Sequence, residues 1–250
     1  MSLTLKLALS PVLVAQALRT RARLPRLPEA AGERQGVVGQ GPSLRLLVAG
    51  DSSAAGVGVD AQQQALAAPM AARLAERCGV QVHWQLVAAS GLTTKQVHER
   101  LRTDSPGFFD LAVIVTGVND VVDQVPSHHA VATRDALVNW LRNAIGVAHV
   151  CFAPLPPVHR FPGLPQPLRW VAGADAHRHN RALADWVATR SDASLVNMTM
   201  PLRRDVMALD GFHPGAPVYR ACAASIAQHL SQHVSQRLSR QAQYPVHHES

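Results

Sequence analysis

From residue 44 onward the chain alternates short apolar runs with stretches of helical spacing, and that alternation leaves few folds open. Residues 44–49, 80–88, 110–116, 148–153 and 194–199 are short and rich in apolar and β-branched residues, which predicts strands. Between and after them, residues 62–77, 94–102, 128–145, 174–190 and 216–237 place apolar side chains at helical intervals, with Gly79 as the stop of the first. Five apolar strands separated by helices predict an α/β fold whose parallel sheet is covered on both faces. The chain has 250 residues, 47% apolar and 16% charged, enough to bury one full core.

In a parallel open sheet, ligands sit beyond the carboxyl ends of the strands. Three chemically capable segments fall there. Ser52 follows the first strand in Gly50-Asp51-Ser52, Gly91 follows the second in Ala89-Ser90-Gly91, and Asn119 follows the third in Gly117-Val118-Asn119-Asp120. Late in the chain stands Asp210-Gly211-Phe212-His213-Pro214. Taken singly, each reads equally well as a turn or a helix cap. Taken together they supply a nucleophile, a base with its carboxylate, and donors for an oxyanion. A serine hydroxyl is a weak nucleophile until a neutral imidazole takes its proton, and His213 can do so near neutral pH. Asp210 can hold the far ring nitrogen if the segment turns. The N–H groups of Ser52 and Gly91 and the Asn119 amide can converge on a carbonyl oxygen that gains charge.

These four blocks resemble those of the SGNH hydrolases, the superfamily of GDSL-like esterases and lipases. The likeness covers about residues 44–230. It implies a three-layer α/β/α sandwich with a five-stranded parallel sheet, and ester hydrolysis that needs no metal or cofactor. The site it implies is Ser52, Asp210 and His213 as the triad, with Ser52, Gly91 and Asn119 as the oxyanion donors. Ser53 departs from the pattern, since a leucine is expected there. The implied function is a serine-dependent carboxylic-ester hydrolase, esterase- or lipase-like. Lysophospholipids, short acyl esters and acetylated sugars all remain open as substrates, and so does acyl transfer at the same site. The rival from another class is a catalytically silent α/β module that docks on membranes.

Other constellations are weaker. The Gly-x-Ser-x-Gly elbow is absent. His177 and His179 would splay on a helix, and no zinc or phosphate-loop motif occurs. Cys78, Cys151 and Cys222 are widely spaced, which predicts core thiols rather than a disulfide framework. Net charge is +7, but aromatics make up only 4% and no basic run is interleaved with them, so nucleic acid is not expected as a partner.

Residues 1–43 are expected to be an apolar and basic segment followed by a Pro/Gly-rich linker at 24–43. The hydrolase domain then spans 44–240, and a frayed tail 241–250 carries His247-His248-Glu249. The apolar run at 7–14 is too short to span a bilayer. With Arg19, Arg21, Arg23 and Arg26 after it, residues 1–26 are expected to stay on the cytoplasmic side and to touch a membrane surface. Export after cleavage near Ala17 is the competing expectation.

Overall fold

The computed structural model describes residues 3–104 and 106–243. After α1 (Leu3–Arg23) come β1 (Gln35–Val38), β2 (Ser43–Gly50), α2 (Ser52–Ala55) and α3 (Ala67–Cys78). Then β3 (Gln81–Ala88), α4 (Thr94–Asp104), β4 (Leu111–Val115), α5 (Val118–Val122) and α6 (Ser127–Ile145) follow. Last are β5 (His149–Phe152), α7 (Leu168–Val187), β6 (Ala193–Leu195) and α8 (Ala216–Gln243). The sheet has six strands in the order β1-β3-β2-β4-β5-β6. Five run parallel, as expected; β1 is antiparallel, with Gln35 opposite Gln85 and Val38 opposite Val82.

Strand periodicity builds the layers, because alternate residues face opposite sides. On β2, Leu44, Leu46 and Val48 pack with α3 (Met70, Leu74) and α8 (Ile226, Leu230). Leu47 and Ala49 face the other way, into α4 (Leu101), α6 (Leu137, Leu141) and α7 (Leu183). The result is the three-layer α/β/α sandwich. A third cluster, including Val121, Phe161, Met207 and Val218, lies apart from both faces and packs loop and helix segments together.

Two expectations are corrected. The 24–43 segment is not a free linker: it contains β1, Ala30 is buried, and Gln62 Nε2 donates to the Ala30 carbonyl at 3.1 Å. The strand expected over 194–199 stops at Leu195, and the apolar residues beyond it turn toward a cleft. The tail from residue 244, with its histidines, lies outside the described residues. No described helix is long and apolar enough to cross a membrane.

Candidate active site

The first element of the site is the turn from β2 into α2. Gly50 closes the strand, and a Cβ there would stand 2.2 Å from the Val115 carbonyl oxygen, so only glycine lets β2 and β4 end side by side. Asp51 caps α2: its Oδ1 accepts from Ser53 N–H at 2.9 Å. Ser52, the first helical residue, then carries an N–H with no intrahelical acceptor. Asp51 is 2% exposed, and burial, partly offset by the Ser53 N–H and the nearby His213, pushes its carboxyl up to about 7.

The second element is the turn before α8. Asp210 Oδ1 accepts from the backbone N–H groups of Phe212 and His213, both at 2.9 Å, which curls the segment so that Oδ2 meets the His213 ring. His213 Nδ1 lies 2.6 Å from that oxygen, and Nε2 lies 3.1 Å from Ser52 Oγ. With the ring proton on Nδ1 facing the carboxylate, Nε2 is left to accept from the serine hydroxyl. Burial works to raise the Asp210 pKa, but the His213 ring bond and the two backbone donors outweigh it and hold the carboxyl below its usual range. Asp210 therefore stays ionised and holds the His213 ring in place through Nδ1. The histidine reaches Ser52, while Ser53 spends its N–H on the Asp51 cap.

The third element is the turn from β3 into α4, which carries Gly91. Its φ is +84°, a conformation that side chains rarely adopt, and nothing lies within 4 Å of where a Cβ would be. The neighbours of Gly91 are fastened from several directions. Glu29 Oε1 accepts from Ser90 N–H at 2.6 Å and from Ser90 Oγ at 2.8 Å. Asn119 Nδ2 donates to the Leu92 carbonyl at 3.0 Å. Asp120 accepts from Thr94 N–H at 2.9 Å and from Thr94 Oγ1 at 2.6 Å. Arg34 holds Glu29 in turn and also donates to the Ala88 carbonyl at 2.8 Å. Asn119 thus uses one amide hydrogen on the turn and has a second left for a substrate oxygen.

The structure brings Ser52, His213 and Asp210 into one hydrogen-bonded line, with Asn119 lining the same cleft and tied to the residue after Gly91. Gly91 itself is not among the residues lining the cleft. The cleft wall beside the serine is apolar, with Leu155, Phe161, Met198, Met200, Leu202 and Met207. The proline-rich stretch at 154–167 supplies Leu155 and Phe161. Sequence reasoning did not assign roles to Glu29, Asp51, Asp120, Thr94 or the three methionines. Only the pairing of Asp51 with Ser53, as an N-cap, carried a local signal.

The GDSL-like Lipase/Acylhydrolase family matches residues 48–221, a stretch that holds every one of these site residues except Glu29 and Arg34. The chain belongs to that family. A GDSL-like esterase of Mycobacterium tuberculosis is 28% identical, over 85% of this chain and 73% of its own length. Among solved structures, a lipase from a goat rumen metagenome superposes with a TM-score of 0.60 at 17% identity, covering 75% of this chain and 97% of that one. A family 3 carbohydrate esterase of Clostridium thermocellum gives 0.58 at 14% identity, covering 78% and 98%. These likenesses carry the fold. Membership of the GDSL-like family carries the class of chemistry, ester hydrolysis.

Proposed function

We propose that the chain is a carboxylic-ester hydrolase working through an acyl-serine intermediate on Ser52. The observation that carries this reading is the continuous line from Asp210 Oδ2 to His213 Nδ1 at 2.6 Å and from His213 Nε2 to Ser52 Oγ at 3.1 Å. In the first half-reaction His213 takes the Ser52 proton as Oγ attacks the ester carbonyl, then returns it to the leaving alcohol. The N–H groups of Ser52 and Gly91 and the free amide hydrogen of Asn119 receive the charge on the carbonyl oxygen. In the second, water attacks the acyl-serine with His213 again as base, which frees the acid and restores the hydroxyl. Fluorophosphonate labelling followed by peptide mass spectrometry tests the assignment. Ser52→Ala should lose both the label and ester turnover, and Ser53→Ala should keep both. A label that survives in Ser52→Ala and disappears in Ser53→Ala would move the nucleophile by one residue.

We also propose that residues 1–26 are retained and rest on a cytoplasmic membrane surface. The inward face of α1 is engaged: Lys6 Nζ meets Asp175 Oδ2 at 2.6 Å, and Gln16 bonds both the Gln166 carbonyl and Leu168 N–H. The opposite face carries Leu7, Val14 and Leu18 at helical spacing, 62%, 57% and 66% exposed, with the arginines of residues 19–26 after it. An apolar stripe ending in cations suits anionic lipid. Flotation with phosphatidylglycerol-containing liposomes should fall when Leu7, Val14 and Leu18 are all changed to Gln. Equal flotation of the two proteins would remove the membrane role, and a mature N-terminus at Leu18 in the native host would show export instead.

A further inference from the structure

The proline-rich segment at 154–167 is tied down at both ends by side-chain amides. At its inner end Asn180 Oδ1 accepts from Leu155 N–H and Asn180 Nδ2 donates to the Leu155 carbonyl, both at 2.8 Å. At its outer end Gln16 of α1 makes a similar clamp. Its Nε2 donates to the Gln166 carbonyl at 2.6 Å, and its Oε1 accepts from Leu168 N–H at 3.0 Å. Leu168 opens α7, so its N–H has no intrahelical acceptor and Gln16 supplies one. Between the clamps Val158, Phe161 and Leu164 are buried with Ala176 of α7 and Val218 of α8. The segment is therefore a packed element, not a free loop.

Its middle meets the turn that carries Asp210 and His213. Gly163 N–H donates to the Gly211 carbonyl at 2.9 Å. The two backbones lie so close that a Cβ on Gly163 would collide with the Asp210 carbonyl oxygen. Beside this bond, Phe161 meets Phe212 edge to face, with ring centroids 5.1 Å apart and planes at 77°. Phe212 meets the His213 ring in the same manner, at 5.1 Å and 72°. The bonds from Gly211 N–H to the Ala208 carbonyl and from Ala208 N–H to the His213 carbonyl hold the turn's shape, but both stay inside it. Contact with the 154–167 segment is what sets the turn against a distant part of the chain.

We infer that this segment positions the His213 ring against Ser52, with Gly163 and Phe161 as positioning residues and Gln16 of α1 holding the segment from outside. The inference rests on His213 acting as the base for Ser52. The separation of 3.1 Å between His213 Nε2 and Ser52 Oγ is near the upper end of hydrogen-bond reach, so a small retreat of the ring breaks the contact. Neither Gly163 nor Gln16 lines the cleft, so their influence on turnover passes through the turn and not through substrate contact. Gln16 also precedes the family-matched residues 48–221, which gives the N-terminal helix a part in the reaction.

The test uses the full-length protein and p-nitrophenyl acetate, whose short acyl group makes little use of the cleft wall. Gly163→Ala wedges the turn away and should lower kcat roughly a hundredfold, the cost of a misplacement of about 1 Å, with KM within about twofold of wild type. Gln16→Ala removes only the outer clamp and should lower kcat by roughly three- to tenfold, again at nearly constant KM. Fluorophosphonate labelling of Ser52 needs the same base and should slow in step. The proton on His213 Nδ1, in its 2.6 Å bond to Asp210, gives a far-downfield NMR signal that His213→Ala should lose. In both positioning variants that signal should shift or broaden. Thermal unfolding shows which variants fold, and Gln16→Ala carries the test should Gly163→Ala fail to. A folded variant with wild-type kcat overturns the inference. So does a raised KM at unchanged kcat, which would make the segment a cleft wall only. A lower kcat with labelling rate and NMR signal both unmoved overturns it too. Wild-type protein that neither hydrolyses the ester nor takes the label would instead overturn Ser52 as nucleophile.

Discussion

Asp51 is the residue whose replacement most directly exposes what the site costs the fold. Its carboxyl is buried beside the nucleophile, and burial raises its pKa from 3.8 to about 7. Below pH 3.8 it is protonated in folded and unfolded chains alike and contributes no pH dependence. Between 3.8 and about 7 the folded protein keeps a proton that the unfolded chain has lost. The unfolded state then binds fewer protons, so stability falls as pH rises through this window, and above it the penalty is constant. A gap of about three pKa units at 1.36 kcal/mol each amounts to ~4 kcal/mol at alkaline pH. Asp51→Asn keeps an oxygen to accept the Ser53 N–H but can never ionise. It should therefore match the wild type in stability near pH 4 and exceed it by ~3–4 kcal/mol above pH 8. Urea unfolding of both proteins at pH 4, 6 and 8 measures this, and taking the difference between them cancels every other titrating group. A difference independent of pH, or a variant less stable than wild type at pH 8, would refute the argument that Asp51 is held protonated by burial.

Asn119→Ala removes the proposed oxyanion donor, which under that proposal acts mainly in the transition state, so kcat should fall by roughly 10²–10³ with KM little changed; steady-state kinetics on one ester measures it. Glu29→Ala releases Ser90, and with it the Gly91 turn, so, if the Gly91 N–H is the proposed donor, kcat should drop by roughly ten- to a hundredfold through its misplacement. The fold should lose less than about 1 kcal/mol, because the Glu29–Arg34 pair is partly exposed, and an unfolding curve run beside the kinetics separates the two effects. At the opposite end of the sheet, burial and the neighbouring His233 and His229 push the His149 imidazole down to about 4. That stability is present above pH 6.5 and lost as pH falls toward 4, so His149→Phe, which keeps a ring against His233, should lessen the acid loss by ~3 kcal/mol.

What could be read in the sequence follows the range of the interaction that encodes it. The five parallel strands and the main helices rest on local periodicity, and all of them are found, with ends shifted by a few residues. The hydrogen-bonded line of Asp210, His213 and Ser52 was equally legible, because Asp210 and His213 are neighbours on one turn and Ser52 follows directly on the end of a strand. β1 was missed because its four residues, Gln35-Gly-Val-Val38, are too short to show alternation and sit among glycines that read as linker. The support of the Gly91 turn was invisible for a different reason. Glu29 lies 61 residues from Ser90, and Asp120 lies 26 from Thr94, so the sequence offers no local pattern that couples them. The α7 helix begins at Leu168, earlier than its spacing predicts, where Gln16 Oε1 accepts the Leu168 N–H from outside the domain.

The same long-range contacts show where the fold spends stability on chemistry. Arg134 is 1% exposed and reaches Asp120 at only 3.4 Å, while its Nε and Nη1 find no acceptor among the described residues. A buried pair with unmet donors is a poor source of stability, because desolvation of both charges offsets their attraction. Burial accordingly lowers the Arg134 pKa, despite the Asp120 charge beside it. What the pair secures is position: Asp120 holds Thr94 and Asn119 holds Leu92, on the turn that follows Gly91. Under the proposed mechanism, donors that are already aimed cost no reorganisation when charge appears on the substrate oxygen. The buried Asp51 carboxyl beside the nucleophile fits the same economy. Two unfavourable burials at the strand ends are tolerated because the two large apolar faces of the sheet supply the stability that the site withholds.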